Sequence, residues 1–156
     1  MKTFYDIMLN QIRQHHLENI VIVIAKHSPY IIAMLYLLTL SYLFINQHSL
    51  LFVTIFKPLS TFLLVTVLRK FINRPRPCVQ FHIQPLVAHK KDQSFPSRHT
   101  ASAFAIALAL ANLHTTLGII AILLAFIVAL SRLLTGVHFI SDIFAGIIIS
   151  FLIFII

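Results

Sequence analysis

Charge is scarce in this chain, and acidic charge is scarcest. Only 10% of the 156 residues are charged, with four Asp and Glu against 12 Lys and Arg. Soluble domains carry about a quarter charged residues. Here 59% of residues are hydrophobic and the mean hydropathy is +0.93, which excludes an ordinary soluble fold and points to an integral membrane protein. Cysteine occurs once, at Cys78, so an intramolecular disulfide is excluded. No internal repeat is evident, and the first 19 residues hold no continuous apolar core of the kind a removable signal peptide needs. The net charge of +8 is local, because seven of the 12 cations lie between Arg69 and Arg98. Such a concentration suits phosphate better than a nucleic-acid surface, and no nucleic-acid partner is expected.

The apolar runs imply an all-α, single-domain helical bundle over residues 1–156. Phe4, Met8 and Ile12 recur at helical spacing among polar residues, which reads as an amphipathic helix on the membrane surface. His15 and His16 are adjacent and so do not share a helix face, which makes a solvated surface a better reading than a metal pair. Residues 20–25 are apolar but too few to span before Lys26, His27 and Pro29, so residues 1–29 are expected to form an interfacial segment and residues 30–156 the transmembrane core. Five spans are predicted, over about residues 30–44, 50–68, 97–113, 117–130 and 139–156. Pro58 is expected to kink the second, with Lys57 snorkelling toward the nearer end or serving proton transfer. The loop over residues 69–98 is the only long one, and a long loop is a functional candidate. Five antiparallel crossings put the amino-terminal segment, this loop and the turn over residues 131–138 at one membrane face.

Three polar clusters therefore converge. Arg132, His138 and Asp142 stand within a dozen residues in otherwise apolar sequence, where ionisable groups are costly and usually functional. His138 and Asp142 are four apart, one turn on one face if the following run is helical. A carboxylate on one imidazole nitrogen sets the tautomer and leaves the other nitrogen to attack or to move a proton. Pro96, Ser97, Arg98 and His99 bring a hydroxyl, a cation, an imidazole and free N–H groups to a helix amino terminus, which suits an anion. Ser97 also reads as a plain helix cap. Arg69, Lys70, Arg74 and Arg76 end the second span, with Pro75 and Pro77 stiffening the chain; a basic helix end on lipid headgroups is the simpler reading of that run taken alone. A cationic phosphate site needs no metal, and His99 and His138 lack a third metal ligand beyond Asp142.

These clusters resemble the signature of the type-2 phosphatidic acid phosphatase superfamily, membrane lipid phosphatases related to vanadium haloperoxidases. Its pattern is Lys-x6-Arg-Pro, Pro-Ser-Gly-His and Ser-Arg-x5-His-x3-Asp. The third motif is complete at Ser131, Arg132, His138 and Asp142. The second is present as Pro96, Ser97 and His99, with Arg98 in place of glycine. In the first, Arg76-Pro77 fits, while Arg69 stands where lysine is expected and Lys70 is one place off. The resemblance implies that His138 attacks phosphorus to form a phosphohistidine, that Asp142 orients it, and that His99 protonates the leaving oxygen and later helps activate water. It further implies that Arg69 or Lys70, Arg76, Ser97 and Arg132 hold the phosphoryl oxygens, with Arg98 adding a cation or only its backbone N–H, and that no cofactor or metal takes part.

Within the superfamily, the small size and residues 92–100 look most like bacterial undecaprenyl-diphosphate phosphatases, which recycle the lipid carrier of cell-wall synthesis and commonly carry aspartate where Arg98 stands. The other substrates this resemblance allows are phosphatidylglycerophosphate, phosphatidate and a lipid A phosphate. A transporter or flippase for phospholipid headgroups would also need membrane cations, yet carrying requires no nucleophile. Eleven of the 12 cations fall on the motif face, which by charge alone points to the cytoplasm. Phosphate binding accounts for several of them, and the resemblance implies a site facing out of the cytoplasmic membrane of a bacterium, entered sideways by a lipid phosphate from the bilayer.

Overall fold

Seven helices make up the secondary structure of residues 1–88 and 91–156, the part of the chain described by this computed structural model. They are α1 (Lys2–Gln14), α2 (Glu18–Ile45), α3 (Leu51–Ile72), α4 (Pro77–Gln80), α5 (Arg98–Leu113), α6 (Thr115–Leu134) and α7 (Ile140–Ile155). Among the described residues there is no strand. By length and apolar composition α2, α3 and α6 can each cross a membrane, and α5 and α7, of 16 residues each, complete a five-helix bundle. Of the seven clustered cations, Lys90 lies outside the described residues.

Contacts at the helix ends show the alternation of direction. Arg69 near the end of α3 donates to the Pro96 carbonyl just before α5, at 3.0 Å. The Ser97 N–H donates to the Asp142 carbonyl in the first turn of α7, at 2.9 Å. At the opposite end the Lys57 Nζ donates to the Phe154 carbonyl at 2.9 Å and lies over the Phe154 ring. Lys57 thus closes the carboxyl end of α7, where the last carbonyls have no helical partner.

The core is built from small side chains. Ala103, Ala107 and Leu110 of α5 meet Ala121, Ala125 and Val128 of α6, with Ile32 of α2 and Ile143 of α7 closing the cluster. With lipid outside, hydrophobicity does not drive helices together, and small residues permit the close backbone approach that does. Two glycines mark the closest approaches: an added Cβ would stand 2.5 Å from Ala111 at Gly118, between α6 and α5, and 2.9 Å from the Ser97 carbonyl at Gly146, between α7 and α5.

Two prolines inside helices are accommodated by the same device. A proline at position i lacks the N–H that would bond the carbonyl at i−4. Pro29 leaves the Ala25 carbonyl free, and Arg132 Nη2 of α6 donates to it. Pro58 leaves the Thr54 carbonyl free, and the Tyr36 hydroxyl of α2 donates to it at 2.8 Å. In a bilayer a freed carbonyl must find such a partner. This corrects the expectation that Lys26, His27 and Pro29 delay the first span to residue 30: α2 runs unbroken from Glu18 because Arg132 supplies the missing donor.

The amino-terminal helix forms as expected, with one face buried. Its buried side chains are Tyr5, Leu9 and Ile12, while Phe4 and Ile7 are exposed. The inner face of α1 therefore covers protein. Tyr5 packs against Phe81 and Phe139, and its hydroxyl donates to the His138 carbonyl at 3.0 Å. His15 and His16 are exposed.

Candidate active site

Asp142 is the anchor of the site. It is the third residue of α7, so one carboxylate oxygen, Oδ2, accepts from the Phe139 N–H at 2.9 Å and caps the helix. The same oxygen accepts from the Ser94 hydroxyl and meets His138 Nδ1 at 3.3 Å. The other, Oδ1, accepts from Arg74 Nη1 at 3.1 Å. A fully buried carboxylate is costly unless paired and hydrogen-bonded, and Asp142 has both forms of compensation.

His138 lies in the turn before α7, two residues ahead of the helix rather than within its first turn as the spacing implied. Gly136 makes that turn in the left-handed region, with φ at 72°. The imidazole is 1% exposed. With Nδ1–H donated to Asp142, the Nε2 lone pair faces the buried Arg76 Nη1 at 3.3 Å; this tautomer is assigned from its partners. Arg76 is itself held by the Val137 carbonyl at 2.9 Å. Burial pushes the His138 imidazole down to about 4, opposed by its bond to Asp142 and assisted by the Arg76 and Arg69 charges. A neutral ring with an available lone pair is therefore the working form near neutral pH.

The second cluster enters from α5. Ser97 is its N-cap: the hydroxyl lies 2.9 Å from Thr100 Oγ1 and accepts weakly from the Thr100 N–H. His99 and Arg132 both line a cavity of about 590 Å³. His99 also lines a neighbouring one of about 320 Å³ with Arg98. Arg98 is exposed, its guanidinium over the Phe62 ring at 5.5 Å. Of the two cations offered by the first motif, Arg69 is buried, and its charge acts on His138; Lys70 is exposed. The structure therefore brings Arg69, Arg76, Ser97, Arg132, His138 and Asp142 together in the interior, with His99 at the cavity wall and Lys70 turned away.

Two donors are left over. Among the described residues, Arg76 Nε and Arg132 Nε are buried without a hydrogen-bond partner, a cost of about 1–3 kcal/mol each in a protein interior. A tetrahedral oxyanion would satisfy such guanidinium groups. Among the described residues no three His, Cys, Asp or Glu side chains cluster as metal ligands.

Three residues of the site carried no assigned role in the sequence reading. Arg74 stood in the basic run, but nothing in its spacing distinguished a partner of Asp142 from a headgroup anchor. Ser94 lies two residues before the Pro96-Ser97 pair, and Tyr5 lies 133 residues from the carbonyl it holds. Only the fold makes these contacts visible.

Comparison with known proteins follows the same residues. A profile described as the PAP2 superfamily matches residues 48–156, more than half of the chain. The chain is 30% identical over 79 residues to the undecaprenyl-diphosphatase BcrC of Bacillus subtilis (strain 168), covering 51% of this chain and 41% of that protein. It is 38% identical over 65 residues to the bacitracin transport permease protein BcrC of Bacillus licheniformis, covering 42% and 32%. It thus spans less than half the length of these curated relatives. Among solved structures, Aquifex aeolicus LpxE superposes with a TM-score of 0.78 at 29% identity, over 98% of this chain and 91% of that one. The first transmembrane PAP2-type phosphatidylglycerolphosphate phosphatase from Bacillus subtilis shares the fold, with a TM-score of 0.57 at 23% identity, over 98% and 90%.

Proposed function

Because this chain belongs to the PAP2 superfamily, we propose that it is a metal-independent membrane lipid phosphatase that works through a phosphohistidine. The observation that carries this reading is the buried His138–Asp142 pair against Arg76, whose Nε donor, like that of Arg132, has no partner among the described residues. A carrier of headgroups needs the cations but not the aligned imidazole.

In the proposed reaction His138 Nε2 attacks phosphorus in line with the lipid oxygen. The N–P bond forms as the P–O bond to the lipid breaks, and His99, in its protonated form, gives its proton to the departing oxygen. Asp142 keeps Nδ1–H in place and stabilises the positive ring as the bond forms. Arg76 turns from the ring to the phosphoryl oxygens as these enter, joined by Arg69, Arg132 and the Ser97 hydroxyl, so that fixed cations follow the charge of the transition state. Neutral His99 then takes a proton from water, which attacks phosphorus, releases inorganic phosphate and restores His138. Arg98, at the rim, contributes long-range positive charge.

The substrate proposed is undecaprenyl diphosphate, converted to undecaprenyl phosphate at the outer face of a bacterial cytoplasmic membrane. The name of the 30%-identical Bacillus subtilis relative supports it. Phosphatidylglycerophosphate, phosphatidate and lipid A phosphates present a similar terminal group and are the competing substrates.

The test is phosphate release by the purified protein in detergent with EDTA, comparing undecaprenyl diphosphate, phosphatidylglycerophosphate and phosphatidate. Preferred release from the diphosphate, absent in His138→Ala, is expected. No release from any lipid by folded protein would overturn the reading.

A further inference from the structure

Four cavities join along one side of the bundle. The cavity holding Arg132 and His99 shares Pro29, Ala33 and His99 with the one beside Arg98. That one shares Phe62, Ser102 and Ile106 with a third, of about 360 Å³. The third shares Leu40 and Ile55 with a fourth, of about 440 Å³, which ends at Phe44, Ile45 and Leu51. The result is one groove between α2 and α3, floored by α5, that begins at the cationic site and reaches the far ends of both helices.

Its chemistry changes once along this path. Lys26, Arg98, His99 and Arg132 gather at the mouth, whereas beyond Ser102 the lining is mostly aliphatic and aromatic, with Tyr36 and Ser41 the polar exceptions. From Pro29 to Ile45 the groove follows 16 helical steps, or about 24 Å at 1.5 Å per residue. One leaflet of the hydrocarbon core is about 15 Å deep, half of about 30 Å. An acyl chain of a diacyl lipid ends near the midplane, so the stretch lined by Leu40, Ile55 and Ile45 lies beyond its reach.

We propose that this groove binds the single long isoprenoid tail of a polyprenyl diphosphate, past the bilayer midplane, and so selects such substrates over diacyl phospholipids. The proposal rests on the phosphatase reading for the headgroup but makes a separate claim about the tail. Each added isoprene unit buries more apolar surface along α2 and α3, and affinity rises with tail length until the groove is filled.

The experiment measures both binding and turnover in the full-length protein, with farnesyl diphosphate and undecaprenyl diphosphate as probes. Native mass spectrometry of detergent-solubilised protein reports bound lipid without requiring chemistry. Ile55→Trp fills the far part of the groove, and Ile55→Phe is a milder variant that tolerates the same packing. Expected is a drop of about tenfold in undecaprenyl diphosphate affinity and in its kcat/KM, with farnesyl diphosphate binding unchanged. Retained farnesyl diphosphate binding shows that the variant is folded. Undecaprenyl diphosphate binding that is unaffected by both variants, or that falls in parallel with the short lipid, overturns the groove. Tail-dependent binding without phosphate release would sustain the groove and overturn the phosphatase reading instead.

Discussion

Arg132 holds the backbone carbonyl of Ala25, which is the carbonyl that Pro29 deprives of its helical donor. The proline of one helix and the cation of another are thus a matched pair. Arg132 Nη2 is committed to α2, and its Nε has no partner among the described residues.

Pro29→Ala should uncouple this pair. The alanine N–H reclaims the Ala25 carbonyl, α2 is stabilised locally, and Arg132 loses its anchor beside the cavity. Steady-state kinetics should show KM for the lipid phosphate rising by several-fold, on the order of 1 kcal/mol for one hydrogen bond, with a smaller change in kcat. An unchanged KM would show that the Ala25 contact does not position Arg132.

The partners of Asp142 make a second test. Ser94→Ala and Arg74→Ala each remove one support from a buried carboxylate that orients His138. About 1–3 kcal/mol of lost orientation translates to a fall in kcat of about 5- to 160-fold, with KM little altered, and Ser94→Thr should restore much of it. Equal losses in stability and kcat, without rescue, would reduce both residues to structural supports.

The His138 imidazole, pushed down to about 4 by burial, sets a pH dependence with a definite sign. Its value in the fold lies below the ordinary 6.5, so the folded state disfavours protonation. The stability it contributes is complete above about pH 6.5 and is lost as pH falls through about 4. The acid limb of kcat/KM arising from the nucleophile should accordingly fall near pH 4. In Arg76→Gln the opposing charge is gone, and that limb should move to higher pH. A limb near 6.5 in the wild-type protein, assigned to His138 by NMR titration, would contradict a buried neutral ring.

Gly146 should tolerate no side chain. A Cβ there meets the Ser97 carbonyl at 2.9 Å and the Ala101 nitrogen at 3.2 Å, and backbone cannot swing aside as a side chain can. Gly146→Ala is expected to cost about 1–3 kcal/mol by overpacking, read as a lower thermal midpoint in detergent, and to reduce activity by displacing Ser97. An unchanged midpoint would mean that α5 and α7 are not in such close contact.

Much of this arrangement was legible in the residues themselves. Hydropathy and the short connections near Gln47 and His114 gave five helices and one polar face, and the spacing of His138 and Asp142 gave the dyad. Spacing could not choose between Arg69 and Lys70, because both lie in the last turn of α3; burial distinguishes them, with Arg69 turned inward and Lys70 exposed. It also misjudged Pro29, which local rules read as a break and which a donor 107 residues away makes harmless. Which face of α1 packs inward also depends on the fold. Phe4, Met8 and Ile12 mark an apolar face, but the one that packs inward carries Tyr5, whose hydroxyl finds the His138 carbonyl. Long-range partners of backbone carbonyls leave no periodic trace in sequence.

The phosphohistidine is the central claim, and trapping it is the most direct measurement. Purified protein mixed with a lipid diphosphate carrying labelled terminal phosphate should be quenched within the first turnovers and digested. The account predicts label on the peptide containing His138, stable to alkali and released by acid as a phosphoramidate is. Label should be absent in His138→Ala, and in His99→Ala both its appearance and its loss should slow, because His99 serves both steps. Phosphate release at full rate from His138→Ala, or label that never appears on His138 while turnover proceeds, would contradict it.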